Sequence, residues 1–245
     1  MNLVIDRGNT QYKVAVFRDS EIIFSKKYNN LSIEDLQAIK QSYPLLKSAI
    51  YCSVFNDCNN EKIISFLKAN YLFIESDEWK TDIKMFYQTP QTLGQDRLAA
   101  IVGACNLYPN IDSLIVDCGS CITFDFISAS REYRGGSISC GLKMKFQALH
   151  NFTSNLPLID KIISTPLIGT STQDSILSGV INGTLEEVKG ITKRYMQMFG
   201  NANVILTGGD ADFLSKNITM EHSVDLNLVL NGLNNILNEN AKTNN

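Results

Sequence analysis

Residues 94–97 read Gly94-Gln95-Asp96-Arg97, a glycine followed within three positions by a carboxylate and a guanidinium. If a helix starts here, backbone N–H donors and the positive end of the helix dipole share one mouth with both side chains. Asp96 would accept a proton from a substrate hydroxyl, and Arg97 would pair with an anionic group on the same molecule. Read alone, the same residues are an ordinary helix start, with Asp96 as the cap and Arg97 in solvent. A second chemistry is written in two like segments, Leu3-Val4-Ile5-Asp6-Arg7-Gly8-Asn9-Thr10 and Leu114-Ile115-Val116-Asp117-Cys118-Gly119-Ser120-Cys121. Each is an apolar strand running into Asp-x-Gly and small polar residues. The glycine lets backbone approach a ligand closely, and the N–H groups that follow can cradle a phosphate. Asp6 or Asp117 cannot hold the phosphate itself but can hold its cation, Mg²⁺ through water or a monovalent ion. One Asp-x-Gly turn is a common hairpin. Two in register, Asp117 standing 111 residues after Asp6, argue for a repeated use.

Thr207-Gly208-Gly209-Asp210 is a third turn where backbone could approach a flat ligand such as adenine, although a plain strand-to-helix turn accounts for it as well. Other nucleotide signatures are missing. Gly136 and Gly141 have the P-loop interval, but Leu142 stands where lysine should be, and there is no G-x-G-x-x-G. His150 and His222 have no partner at metal or triad spacing, and Cys118-x-x-Cys121 lacks the second pair that a zinc site needs and falls in the second turn.

The elements that must position these groups follow from apolar periodicity and turn residues. Strands are expected at Leu3–Ile5, Tyr12–Phe17 and Glu21–Tyr28, then a helix capped by Ser32, a strand at Ala49–Phe55, a helix at Glu61–Ala69 and a strand at Tyr71–Ile74. Gln95–Leu107 has helical spacing. The pattern then restarts, with strands at Ser113–Val116, Ile122–Ile127 and Arg131–Ser139, helices at Gly141–Asn151 and Thr172–Phe199, a strand at Asn203–Leu206 and an amphipathic helix at Asp225–Asn240. The repeat divides the chain into two related α/β halves, 1–112 and 113–245.

The 245 residues carry 22 Lys+Arg against 25 Asp+Glu, a formal charge of −3, with no basic cluster, so nucleic acid and anionic membrane surfaces are excluded as partners in favour of small ligands. No basic region precedes the first apolar run, no apolar stretch approaches the roughly 18 residues of a membrane span, and the six cysteines are too sparse for a disulfide scaffold. A cytoplasmic protein is expected.

Taken together, Asp6-x-Gly8-Asn9-Thr10, Tyr87-x-x-Pro90, Gly94-x-Asp96-Arg97, Asp117-x-Gly119-Ser120, Gly135-Gly136 with Gly141, and Thr172 ahead of a long helix resemble type III pantothenate kinases over essentially the whole chain. The resemblance implies a duplicated actin-like fold (acetate and sugar kinase, heat-shock chaperone, actin) with two βββαβα-type halves around a cleft. It implies a homodimer that phosphorylates the 4′-hydroxyl of pantothenate with ATP, the first step of coenzyme A synthesis, using a divalent cation such as Mg²⁺ and K⁺ or NH₄⁺. Carried over by position, Asp6, Arg7, Gly8, Asn9, Thr10, Gln11, Tyr12, Lys13 and Ser120 would meet ATP. Tyr87, Gly94, Gln95, Asp96, Arg97 and Thr172 would meet pantothenate, with Asp96 as general base and Asp117 as the monovalent-cation ligand. Arg7, Ser120, Cys121 and Cys140 depart from the family's usual aliphatic residue, Thr-Ala pair and proline. The alternatives are an ATP-binding regulator of the same fold without turnover, and a kinase of the same fold for another small alcohol.

Overall fold

In the computed structural model, which describes residues 1–53 and 58–243, an antiparallel meander opens the chain: β1 (Asn2–Arg7), β2 (Tyr12–Arg18) and β3 (Glu21–Tyr28). Ser32 then starts α1 (Ile33–Ser42) with a reciprocal box, its hydroxyl accepting from the Asp35 N–H while the Asp35 carboxylate accepts from the Ser32 N–H. β4 (Ser48–Ser53), α2 (Cys58–Asn70) and β5 (Leu72–Ile74) follow. The strand expected over Ala49–Phe55 is thus present to Ser53, and its last two residues lie outside the described ones. β4 pairs in parallel with β1, and β5 with β4, giving the order β3-β2-β1-β4-β5. β6 (Lys84–Met85) and α3 (Gln95–Leu107) complete this stretch.

The second stretch repeats the plan. β7 (Ser113–Cys118), β8 (Cys121–Ile127) and β9 (Glu132–Cys140) lead to α4 (Leu142–Asn151) and α5 (Thr172–Phe199). β10 (Asn203–Thr207), α6 (Ala211–Asn217), β11 (Ser223–Val224) and α7 (Leu228–Thr243) follow. The second sheet has six strands in the order β6-β9-β8-β7-β10-β11; without the edge strand β6, its order is that of the first sheet with each strand replaced by its counterpart. The turns differ by one residue. Asp6 pairs with Lys13 across β1 and β2, seven positions on, but Asp117 pairs with Thr123 across β7 and β8, six positions on.

Compactness groups the residues into two units that do not coincide with the sequence repeat. One takes Met1–Pro109, Arg131–Tyr133 and the chain from Asn227 on; the other takes Asn110–Ser130 and Arg134–Leu226. In the first unit, Leu3 and Ile5 of β1 pack with Leu36 and Ile39 of α1 and Ile63 and Leu67 of α2. Alternation along a strand sends Val4 to the opposite face, where α7 packs against β1 and β4. Sheets covered on both faces need unbroken apolar strands, which is why β1 and β4 lack polar alternation. α7 also crosses α3 at backbone contact: a Cβ on Gly232 would stand 1.8 Å from the Ala99 carbonyl oxygen, and one on Gly103 2.5 Å from that of Leu228. Only a pair of glycines allows that approach. In the second unit, Leu114, Val116, Phe124 and Phe126 pack with Phe146 of α4 and Ile176, Val180 and Ile181 of α5.

Candidate active site

Asp6 sits near the end of β1, flanked in register by Lys13 on β2 and Cys52 on β4. It is 7% exposed. Burial raises its carboxyl from 3.8 to about 6, Lys13 opposes the rise, and the charge of Asp96 adds to it. The Cys52 thiol is pushed well above its ordinary value by burial and then by the same two carboxylates. Asp6 and Asp96, 90 positions apart in the chain, therefore share one electrostatic neighbourhood. Beyond Asp6 the hairpin closes with the Gly8 N–H donating to the Gln11 carbonyl at 3.1 Å, which leaves Asn9 and Thr10 exposed at the tip. Gln11 Nε2 donates to Asn29 Oδ1 at 2.8 Å. Arg7 lays its guanidinium 4.1 Å from the centre of the buried Tyr12 ring, and the Tyr12 hydroxyl accepts from Asn59 Nδ2 at 2.8 Å. Stacking on Tyr12 gives the Arg7 guanidinium a packed place beside the hairpin.

At the start of α3, Gly94 is the N-cap, and its carbonyl accepts from the Leu98 N–H at 3.0 Å. Asp96 is therefore a first-turn residue and not the cap; its Oδ1 accepts from the Arg97 N–H at 2.8 Å. Gln95 reaches back to β4, Oε1 accepting from the Ser53 N–H at 3.4 Å. The solvated Arg97 of the simplest sequence reading is corrected by the structure, since the residue is 7% exposed. Its Nη2 donates to the Tyr133 hydroxyl at 3.0 Å, its guanidinium carbon lies 5.9 Å from the Tyr87 ring centre, and the Tyr87 and Tyr133 rings are 5.9 Å apart. Arg97 is buried because two aromatic rings wall it in. Sequence reasoning named Tyr87 and missed Tyr133 and Cys52, neither of which belongs to a motif.

The second unit holds Asp117, Ser120 and Thr172. The Gly119 N–H donates to the Cys121 carbonyl at 2.9 Å, and the Ser120 carbonyl accepts from the Gly141 N–H at 3.0 Å, which ties the hairpin to the start of α4. The Thr207–Asp210 turn is stitched to the same place by the Asp210 N–H, donating to the Cys118 carbonyl at 2.8 Å. Gly208 has φ 92°, and a Cβ there would stand 2.4 Å from Asp117 Oδ1 and 2.6 Å from the Cys118 carbonyl carbon, so both its conformation and its surroundings demand glycine. Burial raises the Asp210 carboxyl, opposed by Lys143. The Cys118 thiol is also raised by burial, with Asp117 and Asp210 adding, the reverse of what a reactive or metal-binding thiol needs. Thr172 is exposed at the first turn of α5, behind the Ser171 cap, whose hydroxyl accepts from the Asp174 N–H at 3.1 Å. His150 bonds the Leu156 carbonyl, and His222 bonds Ser215 and the Met220 carbonyl.

The oxygen sets fit hard cations. Asp6 is buried and Asp96 half-buried, each feels the other's charge, and a divalent ion near them would relieve that repulsion; Asp117 sits where close backbone could add carbonyl oxygens. Among the described residues no group of three or more His, Cys, Asp or Glu is placed to hold a metal by itself. Any divalent ion here would take the rest of its shell from water and phosphate, as Mg²⁺ commonly does.

Two sheets that share a five-strand order, the second extended by β6, each led by a hairpin turning at Asp-x-Gly, define the actin-like fold class of α/β proteins. Solved structures share this fold. They include the ROK hexokinase from Thermus thermophilus, with TM-score 0.53 and 11% identity over 98% of this chain and 99% of that one. The activator of 2-hydroxyisocaproyl-CoA dehydratase from Clostridium difficile has TM-score 0.54 and 11% identity over 99% of this chain and 96% of that one. A Campylobacter jejuni protein named for the Baf family of transcriptional activators has TM-score 0.64 and 24% identity over 98% of this chain and 99% of that one. The sequence model of the type III pantothenate kinases matches residues 2–194. Type III pantothenate kinases from Christiangramia forsetii and Cytophaga hutchinsonii are 40% and 38% identical over 97% and 98% of this chain, and 98% and 100% of their own lengths. The chain belongs to the type III pantothenate kinase family.

Proposed function

We propose that this protein transfers the γ-phosphoryl group of ATP to the 4′-hydroxyl of pantothenate, the opening step of coenzyme A synthesis. The observation that carries this reading is the start of α3, where Asp96 and a buried Arg97 share one helix turn. Pantothenate is a primary alcohol with a carboxylate, and it needs a base for the one and a cation for the other. Arg97, walled by Tyr87, receives the carboxylate, with Gly94 and Gln95 beside it, and Thr172, in the second unit, is a further residue proposed to meet pantothenate. Asp96, its carboxylate plane set by the Arg97 N–H, takes the hydroxyl proton as the oxygen attacks phosphorus. A positioned base supplies roughly 10²- to 10⁴-fold in rate, and alignment and charge neutralisation supply much of the rest.

The residues from Asp6 to Lys13, with Ser120 in the second unit, receive ATP. Asn9 and Thr10 at the exposed tip and the Lys13 ammonium beside Asp6 suit the phosphates, and Asp6 would hold the accompanying Mg²⁺. Asp117 would hold K⁺ or NH₄⁺. When bound, these cations supply neutralisation of phosphate charge. The duplicated halves are 1–112 and 113–245, and the shared strand order supports that ancestry. The protein works in the cytoplasm as a homodimer; strongly exposed Phe152, Leu167 and Ile168 in the second unit support a covering partner copy. Among the described residues no helix is long and apolar enough to cross a membrane.

The test is ADP release by purified protein with Mg²⁺ and K⁺, with and without pantothenate. Release that depends on pantothenate and yields 4′-phosphopantothenate is expected. ATP binding without such release would overturn the reading in favour of a non-catalytic regulator, and release with another alcohol alone would reassign the acceptor.

A further inference from the structure

We propose that Tyr133 is a positioning residue that sets the plane of the Arg97 guanidinium and so makes the site select acceptors bearing a carboxylate. This rests on the pantothenate reading above. An arginine recognises a carboxylate well only when its planar fork is presented at the right angle, and a five-atom stem does not fix that angle unaided.

Tyr133 is 0% exposed, and its hydroxyl accepts from Arg97 Nη2 at 3.0 Å. The residue is itself anchored. Its carbonyl accepts from the Phe86 N–H at 2.9 Å, the Arg131 carbonyl accepts from the Lys84 N–H at 2.8 Å, and Arg131 Nη2 lies 2.8 Å from Asp82 Oδ1. The short parallel pairing of β6 with the opening of β9, Lys84 with Glu132 and Met85 with Tyr133, therefore holds the phenol at the guanidinium. The same pairing carries the chain into Tyr87, whose ring packs on Tyr133 and faces Arg97. A phenol suits this task because it accepts a hydrogen bond without neutralising the cation. A carboxylate at 133 would pair with Arg97 and compete with the substrate.

A hydrogen bond to a charged group is commonly worth about tenfold in an equilibrium. Tyr133→Phe keeps the ring and removes only the acceptor. The KM for pantothenate is expected to rise about tenfold, with the KM for ATP and the melting temperature nearly unchanged. An analogue with the carboxylate replaced by hydroxymethyl, assayed as a competing ligand, should bind wild type and variant equally. In an Arg97→Lys background, which has no fork to align, Tyr133→Phe should add less than about twofold, a non-additivity that reports coupling through Arg97. The inference is overturned if the KM for pantothenate is unchanged, if ATP and the neutral analogue weaken equally, or if the full effect persists without Arg97. Wild-type protein inert toward pantothenate would refute the kinase reading and this inference with it; active wild type beside an indistinguishable variant refutes the inference alone.

Discussion

Replacing Asp6 with Asn should make the nucleotide-free protein more stable while abolishing its activity. Burial lifts the Asp6 carboxyl from 3.8 to about 6, a difference of about 2 units, and each unit corresponds to about 1.4 kcal/mol. Holding the ionised group in the fold therefore costs about 3 kcal/mol at neutral pH. The direction follows from proton counts. Between about pH 4 and pH 6 the folded protein binds more protons here than the unfolded chain, so stability falls as pH rises through that window, and the cost is complete above it. Asn carries no charge at any of these pH values. In chelator at pH 7.5 the variant should gain about 3 kcal/mol, or about 6–12 °C for a chain of this size, and at pH 4 the two proteins should converge. Denaturant titrations at both pH values, beside a coupled kinase assay, measure this. A variant no more stable than wild type at pH 7.5, or a gain of the same size at pH 4, would refute the reasoning.

Asp96→Asn should lower kcat by roughly 10²- to 10⁴-fold with little change in the KM for ATP, and a wild-type rate in the coupled assay would remove Asp96 as base. Activity should rise strongly with K⁺ or NH₄⁺ and hardly with Na⁺, and Asp117→Ala should abolish that dependence; equal rates in all three salts would count against the cation assignment. Gly232→Ala would place a Cβ 1.8 Å from a backbone oxygen of α3, with no flexible side chain to yield, and should cost about 3 kcal/mol or more. Gly179→Ala on α5, where a Cβ meets nothing within 4 Å, should instead stabilise by up to about 1 kcal/mol; equal melting temperatures for the two variants would show that the α3–α7 crossing is looser than described.

Periodicity placed α3 and α5 at their observed limits because each is long and bounded by strong signals, glycine before Gln95 and a serine cap before Thr172. The two-residue strands β6 and β11 and the seven-residue α6 were not legible, because so few residues carry no period. The one-residue difference between the hairpins was equally hidden, since both motifs match up to the turn and diverge only in what pairs after it. For the site, spacing found Asp6, Asp96 and Arg97 but not that the two carboxylates sense each other or that Arg97 is buried. Residue patterns report which face an element hides, not what covers it. Tyr133 reads as an ordinary strand residue until β9 is seen beside β6.

The crossing of α3 with α7 also bears on how the protein is made. The ribosome completes α3 at Leu107 and reaches the first residue of α7 at Leu228, 121 residues later. At about 5–20 residues per second that interval is about 6–24 s. Throughout it, the helix that bears Asp96 and Arg97 has its Ala99 and Gly103 face bare. The nascent chain thus carries an uncovered α3 for about half of its synthesis, a window that ends only when α7 packs onto it.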